Sequence, residues 1–274
     1  MWINGELRDE SAATIAFDDR GFTVGDGCFE AIKLDAAGPF AVGRHLRRLR
    51  SAADRMGIPL ADDAILRAAI DAVTDGVDLG DGILVIRITL TAGRGGGTRR
   101  GDGPPTLVVS TRPASRRVDA EDVALSPWPR NERAALAGVK TTSYAENVMA
   151  LEHAGAVGAS EVLFANTVGE LCEGAGSNVF LELDGELVTP ALRSGCLPGV
   201  TRALLLEVGI GAEAVVPVES LGRTTEAFLT STTREVQPIR TIDGRVLDAA
   251  PGRLTAAAIE TWCARFGPGG PLDP

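Results

Sequence analysis

Lys33 and Lys140 are the only primary-amine side chains in a chain whose other basic side chains are all arginine. Arginine stays protonated and cannot act as a nucleophilic amine, whereas a lysine desolvated in a site can. A reaction that runs through an amine must use one of these two positions. Histidine is as scarce, at His45 and His153 alone. That leaves little for a Ser-His-Asp hydrolase or a His-rich metal site. Cys28, Cys172, Cys196 and Cys263 show no CxxC spacing, so free, mostly buried thiols and no bound metal are expected.

Lys140 stands in Gly138-Val139-Lys140-Thr141-Thr142-Ser143-Tyr144, after an apolar segment and before a helix. Further along, Glu173 is followed by Gly174-Ala175-Gly176-Ser177-Asn178, small residues that let backbone come close to a ligand. Alone, that stretch reads equally well as a bulged hairpin carrying a solvated glutamate. Pro198-Gly199-Val200-Thr201-Arg202 places free N–H groups and a hydroxyl at a helix start, which suits an anion. The loop Gly93 to Gly101 is rich in glycine and arginine and is expected to be mobile. No Gly-Lys-Ser/Thr ends it, so it is not a nucleotide phosphate loop.

With 274 residues and a formal net charge of -10, the chain is acidic. General phosphate-backbone binding is thereby disfavoured, because such affinity comes from Lys and Arg replacing counterions, and small-molecule substrates are expected. No apolar run reaches the roughly 20 residues of a membrane span. The start Met1-Trp2-Ile3-Asn4-Gly5-Glu6 lacks the basic and apolar regions of a signal peptide. A cytoplasmic location without membrane attachment is the expectation.

Several elements must position these residues. Asn4-Gly5 marks a hairpin, and Cys28 to Leu34 a strand. Val42, Leu46, Leu49, Ala53 and Met56 recur at helical spacing up to Gly57, and a second helix covers about Ala64 to Val73. Ile83 to Thr91 and Thr106 to Thr111 are β-rich. Strands are expected over Val123 to Trp128, Glu161 to Ala165, Asn178 to Leu183 and Ala227 to Thr230, with Asp184-Gly185 a further turn. Helices are expected over Asn147 to Val157, from Val200 to Val208 and over about Leu254 to Arg265. The resulting division is an N-terminal α/β domain over 1–112, a linker over 113–120 and a C-terminal cofactor-binding domain over 121–274. Two α+β domains with the active site in their cleft is the simplest architecture.

Taken together, the segments Gly25-Asp26-Gly27-Cys28-Phe29-Glu30, His45-Leu46-Arg47-Arg48-Leu49, Lys140, Glu173 to Asn178, Pro198 to Arg202 and Thr230-Ser231-Thr232 resemble the class IV aminotransferase family of pyridoxal phosphate enzymes. The resemblance runs from about Asn4 to Gln237 and implies an α+β, two-domain fold like that of the D-amino acid aminotransferases. It implies pyridoxal 5'-phosphate as cofactor, a homodimer, and an amino donor and a keto acid acceptor as partners. On that resemblance Lys140 is the Schiff-base lysine, and Glu173 keeps the pyridine nitrogen protonated. Arg48, Val200, Thr201 and Thr232 bind the cofactor phosphate, and Ser177 and Asn178 also line the cofactor site.

Which reaction follows turns on fewer positions. The lyases of the family carry a threonine after Phe-Glu, where this chain has Ala31. Branched-chain enzymes carry a tyrosine where it has Val24, although Ile86-Arg87 looks like their Ile-Arg pair. The run from Gly25 to Lys33 resembles the D-amino acid enzymes, whose Arg-x-His loop is absent. The leading expectation is a transaminase moving an amino group from a D-amino acid or (R)-amine to a 2-oxo acid such as 2-oxoglutarate or pyruvate. Aminodeoxychorismate lyase comes second, its case resting on the Arg94 loop, and a branched-chain L-amino acid aminotransferase third. Val24, Phe29, Ala31, Lys33, Arg87, Arg94 and Ser231 are the candidate substrate contacts, with Arg87 and Arg94 the available cations for a carboxylate.

Overall fold

Asn4 and Gly5 turn the chain between β1 (Trp2–Ile3) and β2 (Glu6–Leu7), which pair antiparallel as the hairpin signal requires. They belong to the first of two compact units in a computed structural model that describes residues 1–80, 82–97, 99–114 and 119–274. That unit comprises Met1–Arg116, Val139–Tyr144 and Leu272–Pro274; the second comprises Arg117–Gly138 and Ala145–Pro271. Lys140 is therefore part of the first.

The first unit also holds α1 (Arg20–Val24), β3 (Gly27–Asp35), β4 (Gly38–Pro39), α2 (Val42–Met56), α3 (Asp63–Thr74), β5 (Ile83–Thr91) and β6 (Thr106–Ala114). Its sheet has the order β2-β1-β6-β5-β3-β4. One sheet face, with Cys28, Ile32, Ile86 and Ile88, packs on Leu46 and Leu49 of α2 and Leu66 and Ile70 of α3. Each such fully buried side chain contributes about 1.5–3 kcal/mol. α2 stops at Gly57, whose φ of 64° is left-handed, as the sequence pattern predicts. The opposite sheet face carries Phe29, Ala31 and, on the neighbouring strand, Arg87, which pairs in register with Ala31.

The second unit contains β7 (Glu121–Leu125), α4 (Ala145–Ala156), β8 (Glu161–Ala165), β9 (Leu171–Gly174), β10 (Asn178–Leu183), β11 (Glu186–Pro190) and α5 (Val200–Glu207). It continues with β12 (Ala212–Ala214), β13 (Ala227–Ser231), β14 (Glu235–Ile242), β15 (Arg245–Val246) and α6 (Arg253–Phe266). Its sheet runs β12-β11-β10-β13-β14-β7-β8-β9, with β15 on β14. Val179, Leu181, Leu229 and Ile239 anchor its larger core. The carboxylate of Glu226 accepts the Leu254 and Thr255 amides and so caps α6.

The whole is α+β. The strand expected over 123–128 ends at Leu125, after which Ser126 Oγ takes the Trp128 amide and turns the chain. Pro113 and Ala114 of the expected linker close β6, and its residues 115–118 lie outside the described residues. Among the described residues no helix is long and apolar enough to cross a membrane. Cys28, Cys172 and Cys196 are buried free thiols, and Cys263 is exposed.

Candidate active site

In the first unit, the segment carrying Lys140 is laced to the start of β3. The Phe29 amide donates to the Lys140 carbonyl at 2.9 Å, and the Thr142 amide donates to the Gly27 carbonyl at 2.8 Å. Thr141 and Thr142 donate their hydroxyls to the carbonyls of Gly27 and Gly25. Gly25 sits at φ 67°, and a Cβ there would lie 2.4 Å from Ser143 Oγ, so only glycine lets the two segments meet this closely.

The Phe29 ring is the floor of this region. Lys140 Nζ lies 4.4 Å from its centroid and the Arg87 guanidinium carbon 3.8 Å. The Tyr144 ring meets it edge-on at 5.2 Å, and the Tyr144 hydroxyl is 3.4 Å from Lys140 Nζ. Burial lowers the pKa of Arg87, and the nearby Arg112 charge lowers it further. Arg87 Nε donates to Thr89 Oγ1, and among the described residues no carboxylate pairs with Arg87. A half-buried guanidinium without a counter-charge is a ready partner for a substrate carboxylate.

On the core side of β3, Glu30 is fully buried and receives Arg48 Nε at 2.7 Å and Nη2 at 2.8 Å. His45 Nδ1 lies 2.7 Å from its other contact point on Oε2. Burial by itself would raise the Glu30 carboxyl, but Arg48 and His45 outweigh it and hold the group well below the usual range. Burial lowers the His45 pKa against the opposing pull of Glu30, and facing that carboxylate Nδ1 is the donor. Arg48 is thus oriented by Glu30.

The other first-unit candidates are spread out. Arg94 is exposed and bound by both oxygens of Asp18. Lys33 is buried, 3.0 Å from Asp35, with its ammonium over the Phe40 ring. Val24 is exposed at the end of α1. Within the Gly93 to Gly101 loop, besides the Arg94 pair, the carbonyls of Gly97 and Arg99 accept Arg20.

In the second unit, Glu173 and Asn178 grip one residue from both sides. Glu173 Oε2 accepts the Leu197 amide at 2.8 Å, and Asn178 Nδ2 donates to the Leu197 carbonyl at 2.9 Å. Arg130 Nη2 stands 3.7 Å from Glu173 Oε1, over the Phe164 ring, and its Nη1 donates to Asn147. Neither Arg130 nor Asn147 was legible from sequence, since a lone arginine between Pro129 and Asn131 has no spacing signal. Ser177 donates instead to the buried Glu161 at 3.1 Å.

Leu197 leads into Pro198-Gly199 and α5. A Cβ on Gly199 would lie 1.9 Å from Asn178 Oδ1, so glycine is what lets the helix start approach Asn178. Among the described residues no side chain caps this helix at Gly199, which leaves the Val200 and Thr201 amides to another acceptor. Opposite Asn178 in register, Thr230 carries a buried Oγ1 without a hydrogen-bond partner among the described residues. Ser231 Oγ accepts the Arg234 amide, and Thr232 follows in the same turn. An uncapped helix start beside an orphaned hydroxyl fits the phosphate of a cofactor.

The family model for amino-transferase class IV matches residues 27–242. The chain is 29% identical over 265 residues to the D-alanine aminotransferase of Bacillus licheniformis, covering 92% of both chains. It is 29% identical over 269 residues to the aminodeoxychorismate lyase of Bacillus subtilis, covering 94% of this chain and 91% of that protein. Its structure matches the branched-chain amino acid aminotransferase of Escherichia coli with a TM-score of 0.87 at 26% identity, over 98% of this chain and 95% of that one. Three activities at nearly equal similarity leave the substrate to the site, but the common ancestry is plain: the chain belongs to the class IV aminotransferases, which are pyridoxal phosphate enzymes.

Proposed function

We propose that this enzyme transfers an amino group from a D-amino acid or an (R)-amine to a 2-oxo acid, 2-oxoglutarate or pyruvate being suitable acceptors. The observation that carries the proposal is the sharing of the Phe29 ring by the Lys140 amine and the Arg87 guanidinium, which pairs with no carboxylate among the described residues. A nucleophilic amine and a carboxylate receptor beside one ring suit an amino acid or oxo acid. Ala31, next to Arg87 in register, supplies no hydroxyl, which favours transamination over the lyase reaction.

Bound pyridoxal phosphate supplies an electron sink that makes the substrate Cα proton acidic. Lys140 would hold the cofactor through Nζ and would move the substrate Cα proton at that same atom. Tyr144, a residue that sequence reasoning did not single out, would hold that Nζ through its hydroxyl. Glu173 would keep the pyridine nitrogen protonated, its own orientation fixed by the Leu197 amide and Arg130. The Val200 and Thr201 amides, Thr232 and Arg48 would bind the phosphate, with Asn178 shaping its approach. Arg87 would receive the substrate carboxylate; Arg94, already paired with Asp18, is the weaker choice.

We propose a cytoplasmic homodimer, a state supported by the exposed Phe17 and Phe22 of the first unit. The deciding test is a donor panel of D- and L-amino acids, (R)-amines and aminodeoxychorismate, read by the cofactor's visible absorption in single half-reactions. Conversion with D-alanine and not L-leucine is expected. Bleaching by L-leucine alone would overturn the stereochemistry, and release of 4-aminobenzoate with pyruvate would establish the lyase instead.

A further inference from the structure

Asp26 lies in the turn Gly25-Asp26-Gly27, whose two glycine carbonyls are occupied by the lysine-bearing segment. Gly25 accepts the hydroxyls of Thr142 at 2.9 Å and Ser143 at 3.0 Å. Gly27 accepts the Thr141 hydroxyl at 3.0 Å. The Asp26 side chain points to the other partner of the turn. Its carboxylate receives Arg20 Nε at 2.9 Å and Arg100 Nε at 2.8 Å on Oδ2, and Arg100 Nη2 on Oδ1. Each arginine then reaches further. Arg20 donates to the Gly97 and Arg99 carbonyls, and Arg100 to the Met56 and Gly57 carbonyls at the end of α2.

We infer that Asp26 is a positioning residue for Lys140. One carboxylate clamped by two arginines fixes the peptide planes on either side of it, and those planes hold Thr141, Thr142 and Ser143. Lys140 precedes these three residues directly, so its amine is set over Phe29 by a frame whose keystone is the Asp26 carboxylate rather than by its own contacts alone.

The clamp differs from an ordinary surface ion pair. The Arg20 and Asp26 side chains are only 7% and 13% exposed, so water does not compete freely for them. Arg100 is 37% exposed. Arg20 also passes beneath the loop closely enough that a Cβ on Gly95 would lie 3.0 Å from its Cδ. The pairing holds the Asp26 carboxyl below its ordinary range, Arg100 contributing most. Neutralising Asp26 leaves two guanidinium groups without their shared acceptor and releases the turn at both ends.

The inference rests on the reading of Lys140 as the cofactor lysine, and the presence of only two lysines makes it separately testable. Acetic anhydride labelling of the cofactor-free protein, followed by peptide mapping, reads the Lys140 and Lys33 amines independently. Asp26→Asn is expected to change the Lys140 labelling rate at least about threefold while Lys33 stays at the parent rate. In the loaded enzyme, kcat is expected to fall about tenfold with KM within about twofold of the parent. Arg100→Gln, at a half-exposed position, is expected to show the same pattern more weakly and carries the test should Asp26→Asn fail to fold. Asp18→Asn, which breaks the other ion pair of that loop, is expected to leave both readouts unchanged. Parent-like Lys140 labelling in the folded variants would overturn the inference, as would an equal change at Lys33, which signals general loosening. A parent protein that neither binds pyridoxal phosphate nor transaminates would instead defeat the functional reading, while the labelling pattern still decides the role of Asp26.

Discussion

The Tyr144 hydroxyl stands 3.4 Å from the Nζ of Lys140, four residues earlier in the chain. The segment between them is not helical: it is the turn tied to Gly25 and Gly27, and α4 begins only at Ala145. The two side chains meet because both lean on Phe29. Tyr144→Phe keeps that ring contact and removes only the hydroxyl. Turnover is expected to fall about tenfold with the cofactor retained, less than the roughly 10²–10⁴-fold of a group that itself transfers the proton, because Tyr144 only holds the Lys140 amine. Single-turnover rates and the pH dependence of the visible absorption check it; unchanged values would assign Tyr144 a packing role.

Glu173→Gln is a second expected lesion with a narrow cause. The amide can still accept from Leu197 through its oxygen, so the shape persists while the negative charge is gone. Cofactor binding is expected to survive and kcat to drop about a hundredfold, because the ring nitrogen loses the anion that favours its protonated form. Transamination at the parent rate would remove Glu173 from that role.

Gly199→Ala places a Cβ 1.9 Å from Asn178 Oδ1, backbone against a side chain already fixed on Leu197. The start of α5 must shift. A stability loss of about 1–3 kcal/mol is expected from the overpacking, together with weaker binding of pyridoxal phosphate. Thermal melts with and without cofactor measure both; undiminished affinity would place the phosphate elsewhere.

Acid should destabilise the first unit through Glu30 and His45. Both have folded pKa values below their ordinary 4.5 and 6.5. For each, the unfolded chain takes up the proton first, so the stabilisation is complete above the ordinary value and is lost as pH falls beneath it. The melting temperature is expected to begin falling below pH 6.5 and to fall more steeply below 4.5. His45→Gln should flatten the upper part of that descent. A melting temperature indifferent to pH across this span would contradict the assigned charge states.

Sedimentation equilibrium is expected to give twice the chain mass of 28.5 kDa. Phe17 and Phe22, at 81% and 80% exposure, would be covered in such a dimer. A fully active monomer at nanomolar concentration, with Phe17→Ser sedimenting identically, would rule it out.

The helices were legible because their signals are local. Val42 to Met56 shows its period and its glycine stop within one stretch of chain, and the structure places α2 there. β14 was not, since Pro238 in its middle breaks the strand pattern, and only pairing with β13 and β7 identifies the segment as sheet. The site divides in the same way. Lys140 and Glu173 stand out by rarity and by their neighbours, as does Arg48 in its His-x-x-Arg setting. Arg130 and Asn147 act at a distance in sequence, through contacts that no spacing encodes. Arg94 looked available in the sequence because its partner Asp18 lies far back in the chain.

Leu272 and Asp273 close the first unit: the Leu272 carbonyl accepts the Ala41 amide, and Asp273 Oδ1 takes the Gly43 amide at 2.8 Å, at the start of α2, where Ala41 itself offers no side-chain cap. The helix that carries His45 and Arg48 is therefore capped by residues made more than two hundred positions later. A nascent chain has synthesised every strand of the second unit before that cap exists. Removing residues 272 and 273 would thus leave the Gly43 and Ala41 amides without these acceptors at the start of the helix that carries His45 and Arg48.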